Sequence, residues 1–149
     1  MHYLEPQPLI YQCLSKTIKQ KNITNVNLFN IGLSNKEEDS FIHTNNDGDA
    51  SLDGIRDEKF NQMFPCHLKK LDSYKFNKLD FIKIDVECSE WDVLEGATKT
   101  ITLHRPTIIL ETFKNKNNKR KLEQFCSIFS YTSKYISADN YLLQPQALN

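Results

Sequence analysis

Leu79-Asp80-Phe81-Ile82-Lys83-Ile84-Asp85-Val86 is β-branched and apolar enough for a buried parallel strand, apart from Lys83 and Asp85. Side chains alternate along a strand, so Phe81, Lys83 and Asp85 share one face with Glu87, and Ile82, Ile84 and Val86 share the other. A lysine and a carboxylate two residues apart on such a strand are expected to pair, because burying either charge alone is costly. Asp85 and Glu87 fall at the carboxyl end of the strand, where open α/β sheets bind ligands. Two readings of the acidic run 85–90 stay open. One is a structural Lys83–Asp85 pair followed by Glu87 and Glu90 at a helix start, where the macrodipole favours negative charge. The other is a ligand-facing acidic edge.

Working downstream, Ser89 is placed to cap a helix with Asp92 as its reciprocal partner, and Trp91, Leu94, Ala97 and Ile101 line one face of that helix. Pro106 stops it, and Thr107 to Leu110 reads as a second buried strand ending at Glu111. Residues 119–128 have helical spacing, and the segments 134–136 and 141–143 flank a closing hairpin at 137–140. Asn115 to Lys121 is a small basic cluster at a loop and helix start.

Working upstream, residues 1–4 read as a strand, and Pro8 suits the first turn of a helix whose stripe is Leu9, Ile10, Cys13, Leu14 and Ile18. Glu5 sits between the two, a position suited to accepting hydrogen bonds from ribose hydroxyls or to a plain surface acid. A short strand follows at 26–31, with Gly32 to Asn35 as the turn after it. Further strands are expected at 40–43 and 67–71, with a polar loop over 44–59. Asp47, Asp49, Ser51, Asp53 and Glu58 follow calcium-loop offsets, but Leu52 stands where the sharp turn needs glycine, so a polar loop is the better reading. Strands alternating with helices, and a terminal hairpin, give an α/β sheet with parallel central strands.

Composition narrows the function. The 149 residues carry 19 Lys+Arg against 19 Asp+Glu, which argues against a protein devoted to nucleic acid or an anionic membrane. The longest aliphatic run is Ile108-Ile109-Leu110, far short of the roughly 20 apolar residues of a membrane span. Cysteines 13, 66, 88 and 126 form no C-x-x-C and do not cluster with the histidines, so no metal site is expected. Without a signal peptide at the first residues, a cytoplasmic protein with free thiols is the expectation. The glycines at 32, 48, 54 and 96 allow neither G-x-G-x-x-G nor a P-loop within these residues.

The segments together resemble the FkbM-type family of S-adenosylmethionine-dependent methyltransferases. The motifs are Leu71-Asp72-Ser73-Tyr74, then residues 79–87, then Ser89-Glu90-x-x-Val93-Leu94-x-Gly96-Ala97, then Arg105-Pro106 and Glu111. Residues 4–8 and Asn30-x-Gly32-Leu33-Ser34 resemble the family's second and third strand ends. The resemblance implies a Rossmann-like class I methyltransferase sheet and methyl transfer to a hydroxyl of a small molecule, sugar or lipid. It implies that Glu5, with Pro6 beside it, holds the ribose of S-adenosyl-L-methionine. Gly32 and Leu33 would lie near the adenine, and Asp85 would face the cofactor's amino acid end and the acceptor. Asp85 or Glu87 would be the base that takes the hydroxyl proton. Cys88 departs from the family's glycine, and is strained if the backbone there needs φ > 0. The family's first strand and glycine-rich cofactor loop would precede Leu4. Residues 1–149 are therefore expected to be one partial domain, incomplete at its N-terminal strand. Its cofactor binding would be weak unless an upstream segment or partner chain completes the sheet. The alternative is a non-catalytic relic or binding module on the same scaffold.

Overall fold

The computed structural model describes residues 1–45, 50–52, 62–86 and 88–147. The chain divides into two compact units, Met1–Lys70 and Leu71–Asn149.

The first unit opens with a β–α–β element. Strand β1 (His2–Leu4) and β2 (Asn27–Phe29) pair in parallel, joined by helix α1 (Pro8–Gln20). Parallel neighbours need such a crossover, and Pro8 occupies the first turn of α1, where its missing N–H costs nothing. The apolar stripe forms as its spacing implies, yet no residue of α1 is buried. A second sheet has the order β3 (Gly32–Leu33), β6 (Gln62–Lys69), β4 (Glu38–Thr44), β5 (Ala50–Leu52). Its buried face carries Ile42, Cys66 and Leu68, with Ala50 and Phe64 packed against them.

Two expectations change here. Gly32 and Leu33 are strand rather than turn, because they pair in parallel with Leu68 and Lys69. The polar segment 44–59 is also not all loop, since Ala50–Leu52 pairs antiparallel with Ile42–Thr44. Residues 46–49 and 53–61 lie outside the described residues, and with them most of the calcium-loop pattern. Strand β6 starts five residues before the expected 67 and runs through Pro65. Strand β3 reaches only Leu68 and Lys69, so Pro65 has a single strand neighbour, where a missing N–H is tolerated.

The second unit is one four-stranded sheet ordered β7 (Phe81–Ile84), β8 (Thr107–Glu111), β10 (Asn140–Pro145), β9 (Tyr131–Ser137). β7 and β8 are parallel and β10 runs antiparallel to both β8 and β9. Ile84, Ile108, Leu110 and Leu143 are buried, while Phe81 and Lys83 on the opposite face of β7 are exposed. The helix expected after β7 breaks into α2 (Glu90–Glu95) and α3 (Thr98–His104). The break is stabilised from outside. The Asp72 carboxylate accepts the backbone N–H of Lys99 at 3.0 Å and of Thr100 at 2.8 Å, so a single 3₁₀ turn at Leu71–Ser73 caps α3. Ser89 stands at the start of α2 but its side chain does not cap, because φ −108° and ψ 13° take it out of the extended conformation that capping uses.

Helix α4 (Lys116–Phe129) buries Leu122 and Phe125. Arg105 ties the unit together, since its guanidinium donates to the carbonyls of Phe129, Ser130 and Gln146 at 2.9–3.1 Å. The Tyr131 hydroxyl donates to the Pro106 carbonyl at 2.8 Å. No helix among the described residues is long and apolar enough to cross a membrane.

Candidate functional site

The carboxyl ends of β7 and β8 meet the first residue of β10, because Asn140 pairs with Glu111 and Lys83 with Ile109. Alternation then sends Lys83, Glu111 and Asn140 to the same face. Lys83 Nζ donates to Glu111 Oε2 at 2.9 Å and to Asn140 Oδ1 at 3.0 Å, and lies 3.4 Å from Asp85 Oδ2. Asn140 Nδ2 donates to Glu111 Oε2 at 3.3 Å. The lysine thus meets Asp85 as expected, but its shorter contact is Glu111. Its hydrogen bond holds the Glu111 carboxyl below the usual carboxylate range, against a smaller opposing effect of burial and with help from Asn140.

A small concavity of about 100 Å³ opens beside this rim, lined by Asp85, Glu90, Glu111, Thr112, Phe113 and Asp139. Asp139 is brought there by the hairpin turn. Ala138 (φ 46°) and Asp139 (φ 59°) both adopt the left-handed conformation that a two-residue turn between twisted strands requires. The Asp139 carbonyl accepts the Thr112 N–H at 2.9 Å. Glu90 is buried, and its Oε1 accepts the N–H of Cys88 at 2.8 Å. Cys88 has φ 75°, a conformation that favours glycine, so the strain foreseen at that position is present. Glu87, the second candidate base, lies outside the described residues.

The first unit holds the other candidates. Glu5 follows β1 directly, and its N–H donates to the Phe29 carbonyl at 3.0 Å. Its carboxylate accepts the Gln7 N–H at 2.8 Å. Burial pushes the Glu5 pKa above the usual range, partly offset by that hydrogen bond. Asn30 Nδ2 donates to the carbonyls of Glu5 at 2.8 Å and Pro6 at 3.2 Å, so the corner between β1 and α1 is fastened to the end of β2. Gly32 is buried and leads β3 with Leu33.

Asp85 therefore comes together with Lys83, Glu111 and Asn140, and Glu5 and Pro6 with Asn30. Sequence reasoning did not single out Thr112, Asp139 or Asn140. A polar residue directly after a buried strand is the available signal for Thr112. The hairpin register that delivers Asp139 and Asn140 is a tertiary feature without one. Asp72 and Arg105, part of the quoted motifs, act here as a helix cap and a carbonyl clamp.

The chain has 18% identity to a solved FkbM methyltransferase from Methylobacillus flagellatus KT, with a TM-score of 0.67. The match covers 96% of this chain and 36% of that one, so the chain spans about a third of the length of the relative whose fold it shares. No curated protein matches the chain. The model of the methyltransferase FkbM domain matches residues 1–141. On that match the chain belongs to the FkbM methyltransferase family.

Proposed function

We propose that this chain is the core of an S-adenosylmethionine-dependent O-methyltransferase with a Rossmann-like sheet. Its Asp85 would receive the proton of an acceptor hydroxyl. The observation that carries the reading is the half-exposed Asp85 carboxylate at the carboxyl end of β7, held at 3.4 Å by a lysine whose shorter contact is to Glu111. A carboxylate offers about four acceptor positions, so the contacts of Asp85 to Lys83 and to the Glu111 carboxyl still leave room for an incoming hydroxyl.

The residues fit the donor at the other corner. Glu5 is half-buried with one backbone donor from Gln7, which suits a carboxylate that also accepts ribose hydroxyls. Pro6, Gly32 and Leu33 are the neighbouring backbone for the adenosine. The bound donor supplies a methyl group on a sulfonium, open to in-line displacement. The chain's own part is positional: Lys83, Glu111 and Asn140 fix Asp85 so that a hydroxyl is held in line and its proton has a destination. Glu87, two residues on, is the alternative base. Among the described residues β1 and β7 are each an edge strand of their own sheet, which leaves each able to accept a further strand.

The test is transfer of a tritiated methyl group from S-adenosylmethionine to a panel of hydroxylated sugars, lipids and polyketides. Transfer by the protein and loss of at least about a hundredfold in Asp85→Ala is the expected result, matching the usual contribution of a general base. Undiminished transfer by Asp85→Ala removes Asp85 from the mechanism, and transfer to no hydroxyl overturns the activity.

A further inference from the structure

The geometry points to an anionic lipid surface as the partner of one edge of the second unit, the edge that carries Phe113, Ile136 and the cations of residues 114–121. Charge is balanced over the whole chain, but not here. Residues 112–122 hold five cations, Lys114, Lys116, Lys119, Arg120 and Lys121, and no acid. Lys114, Lys116, Lys119 and Arg120 are exposed. Positions 116, 119 and 120 are three and four residues apart on α4, so these side chains share one exposed stripe. The stripe goes on with Glu123 and Ser127, which confines the positive charge to the amino end of the helix. Lys119 lies 4.0 Å from Glu123, an exposed pair that removes little of that charge.

Only residues 112–115 separate the end of β8 from α4, so the cations lie at the carboxyl edge of the sheet. Lys114 Nζ sits 3.4 Å from the centre of the Tyr135 ring, which joins the run to the end of β9. Exposed apolar side chains gather at the same edge. Phe113 is 56% exposed, Ile136 49% and Tyr135 41%. Among the described residues, the unit's other large exposed apolar side chains are Phe81, Leu103 and Ile128, at or near the far ends of β7, α3 and α4. The acids of the edge, Asp85, Glu90, Glu111 and Asp139, line the concavity instead, and Lys83 is shared between two of them. The signs are therefore separated along the edge, with the cations on the α4 side.

Cations beside exposed aromatic and aliphatic side chains suit a bilayer interface. The charges meet anionic headgroups, and the apolar groups enter the boundary with the acyl chains. Each exposed cation near such a surface strengthens binding roughly fivefold. A single-stranded nucleic acid fits less well, because it stacks its bases on open ring faces. The Tyr135 ring already carries Lys114 over it, and Tyr141 packs against it with centroids 5.4 Å apart. Ile136 adds apolar surface and gives a base nothing to stack on.

The experiment is cosedimentation of the full chain with vesicles of phosphatidylcholine alone and of phosphatidylcholine mixed with phosphatidylglycerol, at rising salt. Expected is binding to the mixed vesicles that weakens with salt, and far weaker binding to the neutral ones. Lys116→Gln combined with Arg120→Gln is expected to weaken it roughly thirtyfold. Phe113→Ala weakens binding and keeps its salt dependence. Lys75→Gln combined with Lys99→Gln removes two exposed cations elsewhere in the unit and leaves binding unchanged. All the altered side chains are exposed, so the variants keep the wild-type circular dichroism. Failure to bind the mixed vesicles overturns the inference, and so does equal binding to both kinds. Equal losses in the two double variants mean that the attraction is spread over the chain, and overturn it too. A single-stranded RNA that displaces the protein from mixed vesicles, and that binds more weakly after the changes at 116 and 120, makes nucleic acid the occupant and overturns the bilayer. Vesicle binding is read without methyl transfer, so its outcome stands apart from the proposed activity.

Discussion

The two carboxylate corners are built differently. Glu5, in the first unit, is placed by local backbone. Its N–H bonds to Phe29, its carboxylate accepts from Gln7, and the exposed Asn30 side chain ties the corner to β2. The helix that follows buries none of its residues. Asp85 and Glu111, in the second unit, stand on strands whose neighbours Ile84, Ile108 and Leu110 are packed away from water. The largest fully buried side chains among the described residues, Ile101, Ile108, Leu110, Leu143, Val93 and Pro106, all belong to that second unit. An acid on a packed sheet keeps its position through the core beneath it, whereas an acid on a local corner keeps it only as long as a few hydrogen bonds do. Rigid placement suits proton transfer, where small displacements are costly.

The strongest way to break this contrast is Arg105→Ala. Three carbonyls lose a charged donor at once, so the second unit is expected to lose about 3 kcal/mol in urea denaturation. Asn30→Ala removes neutral bonds from an exposed group and is expected to cost about 1 kcal/mol. Equal losses in the two variants would mean that the units do not differ in the way described. Next in size is Asp72→Ala, which uncaps α3 and is expected to cost about 1–2 kcal/mol. Asp72→Asn should recover part of this, since its side-chain oxygen still accepts. No recovery would show that charge at the helix start matters more than the bond.

Much of the fold was legible because local signals agreed. Pro8 marks the start of α1, a parallel strand forms at Phe81 to Ile84 although Phe81 and Lys83 leave exposed one face of what was expected to be a buried strand, and the hairpin at 137–140 forms where expected. The pairing of Asp85 with Lys83 was readable because a lysine and a carboxylate two residues apart on a strand need each other. What failed to show was set by long-range pairing. Gly32 and Leu33 look like a turn until Leu68 and Lys69 arrive beside them. Ser89 looks like a cap, while the acid that caps a helix here is Asp72, 27 residues before Lys99. Thr112 shows locally only a polar residue after a buried strand, and its backbone bond to Asp139 across the sheet is set by the hairpin register.

Cys88 tests a smaller part of the same contrast. Its φ of 75° beside the packed rim is imposed on a residue with a Cβ. Cys88→Gly relieves a left-handed cost of about 1–2 kcal/mol and adds unfolded-state freedom that takes back part of it, so a net gain of roughly 0.5–1 kcal/mol is expected. A loss of stability would show that the Cys88 side chain contributes contacts that outweigh the strain.

The smallest effect is also the one in which the two corners act with opposite sign. The Glu111 pKa is lowered by Lys83, so the folded state releases that proton more readily than the unfolded chain. Its contribution to stability is complete above the ordinary carboxylate range and is lost as pH falls through the depressed value. The Glu5 pKa is raised by burial, so its penalty is absent below the ordinary range and complete once pH exceeds the raised value. Both groups are partly solvated, and screening keeps each effect modest. Urea midpoints measured from acid to neutral pH should therefore diverge in two directions. Lys83→Met flattens the acid loss, because Glu111 no longer gains from ionising. Glu5→Gln raises stability relative to wild type toward neutral pH and has little effect in acid. On the proposed ribose contact, protonating Glu5 removes an acceptor, so affinity for S-adenosylmethionine is expected to fall as pH drops through its raised pKa. A binding profile that keeps its acid limb in Glu5→Gln would move the ribose contact away from Glu5, and the locally built corner would then have no part in holding the donor.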